Sequence, residues 1–116
     1  MMPFVYTVVS AVMGETDDFE WDDDKDAANR AKRGLPLLFA ALMFDGREKT
    51  EDLSDKSPED EARFETVAPA AGRVLFCVWH WRNGRRRIIS LRVANRSERR
   101  AYQEAIGRGG SSRKGI

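Results

Sequence analysis

From residue 63 onward the hydrophobic pattern has a period of two. RFETVAP (63–69), GRVLFCVWHWR (72–82) and GRRRIISLRVA (84–94) read as successive β-strands. Ala71-Gly72 and Asn83-Gly84 separate them. Asn-Gly between two such runs is a strong hairpin signal, because a two-residue turn needs positive φ at both central positions. The three runs predict a meander.

The first half reads differently. Phe19–Trp21 predicts a short strand, and Asp22 suits the N-cap of a helix over about 23–33. Acids crowd its first turn and Lys32-Arg33 its last, matching the helix dipole, and Gly34 fits the left-handed position that ends it. LPLLFAALMF predicts a second helix, with Pro36 at its start and Leu37, Ala40, Ala41 and Phe44 on one face. REKTED suits a short polar strand, and LSDKSPEDEA an acidic loop. After the meander, Asn95 and Glu98 have the spacing of a capping box for a helix to about Ile106. The expected fold is α+β: two N-terminal helices packed on a mostly antiparallel sheet of three to four strands, with a C-terminal helix. Residues 16–106 form the single domain. Residues 1–15 are an N-terminal extension, either a poorly ordered tail or an extra edge strand, without the charged start of a signal peptide. Residues 107–116 read as a flexible tail.

Charge changes this picture. The chain has 116 residues and a formal charge of only +1, yet residues 1–62 carry 7 Lys and Arg against 16 acids. Residues 63–116 carry 13 against 3. A basic half built almost wholly of arginine points to a polyanionic partner, since the guanidinium fork matches phosphate. One cysteine, Cys77, excludes an internal disulfide and sits in an apolar run as a buried thiol. One Cys and one His cannot make a structural zinc site, and there is no P-loop, GxGxxG or GxSxG. No cofactor or metal is expected. No apolar run is long enough to span a membrane.

Strict alternation in the last strand puts Arg85, Arg87, Ile89, Leu91 and Val93 on one face, packed on the helices. Arg86, Ile88, Ser90, Arg92 and Ala94 take the other. In the preceding strand Val74, Phe76, Val78 and His80 oppose Leu75, Cys77, Trp79 and Trp81. The register between the two strands stays open at this point. If His80 falls on the Arg92 face, with Arg63 beside it, an imidazole and two guanidiniums share one surface. Those groups suffice for RNA cleavage without metal: a base takes the 2′-hydroxyl proton and cations stabilise the charge gathering at phosphorus. For a lone histidine the competing reading is a strand-end cap. Trp79 and Trp81 have the chemistry to stack bases, but alternating strand aromatics more commonly form core.

Several motifs in order resemble the BrnT family of ribonuclease toxins. They are Phe19-Glu20-Trp21-Asp22 with Lys25; Asn29, Lys32, Arg33 and Gly34; Phe44-Asp45; Glu61, Arg63 and Phe64; and Arg87, Ile88, Ile89, Ser90, Arg92, Ala94 and Glu98. Arg33 stands where the family usually has histidine. The resemblance implies a RelE-like fold and a cytoplasmic ribonuclease that arrests growth, the toxin of a type II toxin–antitoxin system. It also implies a BrnA-like ribbon-helix-helix antitoxin in a 2:2 complex, with DNA contacted only through the antitoxin.

The expected catalytic residues are Arg63, His80 and Arg92, with Lys32, Arg33, Arg85, Arg86 and Arg87 guiding RNA. Arg92, Arg96, Arg99 and Arg100 are the expected antitoxin contacts. The alternative is a non-catalytic module that binds nucleic acid or protein through the same arginine face.

Overall fold

The computed structural model describes residues 18–114; the extension expected at residues 1–15 lies outside the described residues. In chain order the elements are β1 (Phe19–Trp21), α1 (Asp23–Arg33), a 3-10 segment (Leu37–Phe44), β2 (Thr50–Leu53), β3 (Arg63–Ala70), β4 (Arg73–Arg82), β5 (Arg85–Val93) and α2 (Arg96–Lys114). The strands form one sheet in the order β1-β5-β4-β3-β2. The class is α+β, but the sheet is mixed and has five strands rather than three to four. β1 runs parallel to β5, and the other three pairings are antiparallel. The parallel pairing joins the first strand to the last. No local pattern announces such a contact.

The meander forms as expected. Asn83 and Gly84 both have positive φ, 55° and 76°, and so do Ala71 and Gly72, 52° and 77°. Both hairpins therefore turn in two residues with the twist that antiparallel strands require. Asp22 caps α1 through Asp24 N–H at 2.7 Å, and Gly34 closes it in the left-handed conformation.

The second predicted helix is corrected to a 3-10 segment. Its apolar residues run all the way round, so no single stripe selects an α-helical period. Instead Leu37, Ala40 and Met43 recur every third residue and are buried together, the periodicity of a three-residue turn. Pro36 and the side chain of Asp26, which accepts from Leu37 N–H at 2.7 Å, fix where it begins. Buried Asn29 ties this layer to the sheet: its Nδ2 donates to the carbonyls of Leu35 (2.8 Å) and Leu91 (2.9 Å).

The face assignment of β5 is also corrected. The register against β4 shifts between Val78 and Trp79, so that Val78 faces Ser90 but Trp79 faces Ile88. The extra residue, Ile89, forms a bulge. It lets Arg86 and Ile88 share the core face with Leu91 and Val93, although their parities differ. The opposite face holds Arg85, Arg87, Ser90 and Arg92. The core, built on Leu37, Met43, Leu75, Trp79, Ile88 and Leu91, lies between the sheet and the α1/3-10 layer.

On the other face α2 lies along β3 and β2. Its capping box is formed: Asn95 Oδ1 accepts from Glu98 N–H (2.8 Å), and Glu98 Oε1 accepts from Asn95 N–H (2.9 Å). The helix continues to Lys114, past the Ile106 end that its sequence suggests.

Candidate functional site

The register brings four side chains into one row across the sheet. Glu20 of β1 is opposite Arg87 of β5, Arg87 is opposite His80 of β4, and His80 is opposite Arg63 of β3. Directly paired residues project on one side, so neighbours in the row are about 4.8 Å apart at the backbone. Arg63 and Arg87 thus flank the imidazole. Arg82 and Arg85, paired at the tip of the same hairpin, extend the row on the same face. This end of the sheet lies beyond the part of the face that carries α2's anchor at Arg92.

Carboxylates hold the row in place. Glu61 accepts from Arg63 Nε at 2.6 Å and lies 3.8 Å from His80 Nε2. The Arg63 hydrogen bond holds the Glu61 carboxyl below its usual range, with the neighbouring imidazole adding to the effect, so it stays charged at neutral pH. At the other end buried Glu20 accepts from Arg87 Nη1 at 3.2 Å, with Arg82 Nε 3.6 Å away. Three arginines, Arg63, Arg82 and Arg87, thus each lie within ion-pair distance of one of two glutamates. His80 Nδ1 sits 3.1 Å from the carbonyl oxygen of Trp81. The tautomer that donates this hydrogen bond leaves Nε2 free to take a proton, and Glu61 is placed to stabilise the imidazolium that results.

The other residues singled out from sequence lie elsewhere. Arg92 does share the His80 face, but it stands opposite Phe76, four residues from His80 along β4. That is roughly 13 Å at about 3.3 Å per residue. Both its terminal nitrogens are committed to Glu98, each at 2.8 Å, and its guanidinium lies 4.1 Å from the Phe76 ring centroid. Arg86 is on the opposite face, packed over Phe44, Trp79 and Trp81 at 4.3–4.9 Å. Burial lowers its basicity, and its buried Nε has no acceptor. Arg33 reaches from α1 to Asn29 Oδ1 (3.3 Å) and to the Leu91 carbonyl (3.5 Å), and neighbouring Lys32 is exposed in the helical layer. Neither adjoins the row. Arg96, Arg99 and Arg100 are exposed at the start of α2.

Glu61, Glu20 and Arg82 were not singled out from sequence as site residues. The signal for Glu61 was present: Glu-x-Arg in extended chain puts both groups on one side. Glu20 required knowledge of the β1–β5 pairing. Cys77 is fully buried and burial pushes its thiol up, which removes it as a nucleophile. Among the described residues no group of three or more His, Cys, Asp and Glu is arranged to hold a metal. No described helix is long and apolar enough to cross a membrane.

An imidazole between two guanidiniums, with a carboxylate at its Nε2, is a surface for holding a phosphate and moving one proton. The family described as the ribonuclease toxin BrnT of type II toxin–antitoxin systems matches residues 21–98, about two thirds of the chain. Arg63, His80 and Arg87 fall within that span. No protein of curated function matches the chain.

Proposed function

The chain belongs to the BrnT family of ribonuclease toxins of type II toxin–antitoxin systems, and from that premise we propose that the Arg63–His80–Arg87 row is its catalytic surface, cleaving RNA without a metal. The observation that carries this reading is the register itself, which sets the chain's one histidine directly between two arginines. In the proposed reaction His80 Nε2 removes the proton from a ribose 2′-hydroxyl. The 2′-oxygen attacks the adjacent phosphorus, the bond to the 5′-oxygen breaks, and that oxygen takes a proton from water. The products are a 2′,3′-cyclic phosphate and a 5′-hydroxyl end. Arg63 and Arg87 hold the non-bridging oxygens as their charge increases, and Glu61 keeps the imidazole oriented and stabilises its protonated form. Arg82 and Arg85 steer the RNA backbone. Arg92 is assigned instead to holding α2 on the sheet.

The test is cleavage of total RNA by purified protein in the presence of EDTA, with the new ends identified. Cleavage that stops on chelation, or 5′-phosphate ends, would exclude this mechanism. RNA that binds with a steep salt dependence yet stays intact would favour a module that binds without cutting.

A type II toxin has a protein antitoxin. The reading extends to a BrnA-like ribbon-helix-helix partner in a 2:2 cytoplasmic complex, with DNA contacted through that partner. It docks acidic and apolar groups on the exposed Arg96, Arg99 and Arg100.

A further inference from the structure

The arginine-rich end of the sheet has a second side, and there Trp81 is 53% exposed while Trp21 and Trp79 are buried. Among the described residues it is the one aromatic ring with more than half its surface open to solvent. The ring is nonetheless held firmly. It stands edge-on to Trp79, with centroids 5.1 Å apart and planes at 89°, and the Arg86 guanidinium lies 4.8 Å from its centroid. Arg86 in turn rests over Phe44 at 4.3 Å and Trp79 at 4.9 Å. A rigid aromatic stack and a cation therefore back an indole whose remaining surface faces solvent.

Its position relates it to the catalytic row. Trp81 follows His80 in β4 and points to the other face, and only the two-residue turn Asn83-Gly84 closes the hairpin beyond them. Arg82 and Arg85 sit at that tip. A flexible polyanion whose phosphate lies at Arg63, His80 and Arg87 crosses a cationic tip to reach the indole. Single-stranded RNA has both required features, a charge on every nucleotide and a flat π-face beside it. An apolar peptide would gain nothing from the surrounding arginines.

We propose that Trp81 is a stacking platform for a base of the bound RNA a few nucleotides from the scissile phosphate, and so helps to choose where the strand is cut. This rests on the ribonuclease reading above. The probe is a short 2′-O-methyl RNA, which lacks the attacking hydroxyl, with binding followed by titration. Trp81→Leu keeps apolar bulk but no ring and should weaken binding roughly tenfold, whereas Trp81→Phe should recover most of the loss. Moving a single abasic nucleotide along the probe should reveal one position where wild type loses the same factor and Trp81→Leu loses nothing more. Thermal melts check that both variants fold, as an exposed site predicts.

Wild-type cleavage of RNA together with unchanged affinity in Trp81→Leu overturns the stacking role and leaves the ribonuclease standing. Additive losses at every abasic position overturn it as well. A Trp81→Leu variant that binds RNA normally but loses an acidic protein partner would make this a protein contact instead. Wild type that neither binds nor cuts RNA removes both proposals.

Discussion

The two ends of one sheet face use arginine in opposite ways. At the α2 end, Arg92 is clamped by both oxygens of Glu98 and laid against Phe76, so its charge and its hydrogen bonds are already spent within the molecule. At the hairpin end, Arg63, Arg82 and Arg87 share two glutamates, and Arg63 and Arg87 flank a histidine. Both ends are partly exposed, and both are dense in guanidinium. What separates them is the pairing geometry: Arg92 gives both terminal nitrogens to one carboxylate, whereas Arg63 and Arg87 each give one nitrogen. An arginine whose planar fork is filled in a bidentate pair has little left for phosphate, whereas one held at a single nitrogen keeps donors free. The arginine-rich C-terminal half is therefore two things: a strut that fastens a helix, and a surface whose arginines are held at single nitrogens.

The largest effect should come from exchanging the two ends in a cleavage assay. Arg63→Ala or Arg87→Ala removes a donor aimed at the developing charge and should lower RNA cleavage about a hundredfold. Arg92→Ala should leave cleavage per folded molecule within about a factor of three, since its backbone position lies roughly 13 Å along the sheet from His80 and its guanidinium is bound to Glu98. Single-turnover rates on one RNA, corrected for folded fraction by circular dichroism, decide the matter. A hundredfold loss in Arg92→Ala with a normal fold would dissolve the distinction.

How much of this contrast was legible in the sequence depends on the range of the interactions. The hairpins, the α1 caps and the Asn95–Glu98 capping box involve neighbours in the chain, and residue identity alone specifies them. Alternation restricts Arg63 and His80 each to one of two faces, so sequence brings them together only on the condition of a shared face, and the β3–β4 register supplies that condition. Arg86 and Arg87 were assigned to the wrong faces because the bulge at Ile89 breaks alternation, and two consecutive isoleucines give no hint of which is inserted. The 3-10 segment escaped because uniformly apolar residues suit several helical periods. Glu20 as the partner of Arg87 escaped because it needs the β1–β5 pairing, a contact between residues 67 apart. Local chemistry shows in sequence; long-range register does not.

The antitoxin sharpens the comparison from outside, with a smaller expected effect. Arg96 and Arg99 begin the helix that Arg92 fastens and are exposed. Reversing both to glutamate should weaken the antitoxin complex about tenfold, through loss of attraction and new repulsion. The same reversal at Arg113 and Lys114 should change it little. RNA cleavage should be unaltered by the Arg96 and Arg99 reversal, because neither residue belongs to the row. Calorimetric titration gives the affinities. Equal affinity for both double variants would mean that the partner docks elsewhere, with the hairpin end the next surface to test.

The smallest effect concerns the strut alone and carries a definite pH signature. The Arg92 hydrogen bonds, with help from Asn95 N–H, hold Glu98 below its ordinary value of 4.5. A carboxylate with a folded value below its unfolded one stabilises the fold above the unfolded value, and loses that contribution as pH falls through the folded one. Glu98→Gln keeps an oxygen for the cap but not the ion pair, so it should cost about 1 kcal/mol at pH 7, because the pair is partly exposed and screened. That is a melting shift of several degrees for a domain of this size. Between pH 7 and about pH 5.5 the gap between wild type and variant should be constant. Below the ordinary carboxylate range it should close, as wild type becomes protonated and resembles its own variant. Arg92→Ala should show the same closing gap, with a remainder that persists in acid from the lost packing on Phe76. A gap that widened on acidification would show that Glu98 is not held by Arg92 in solution, and the strut would have to be sought in the Phe76 contact alone.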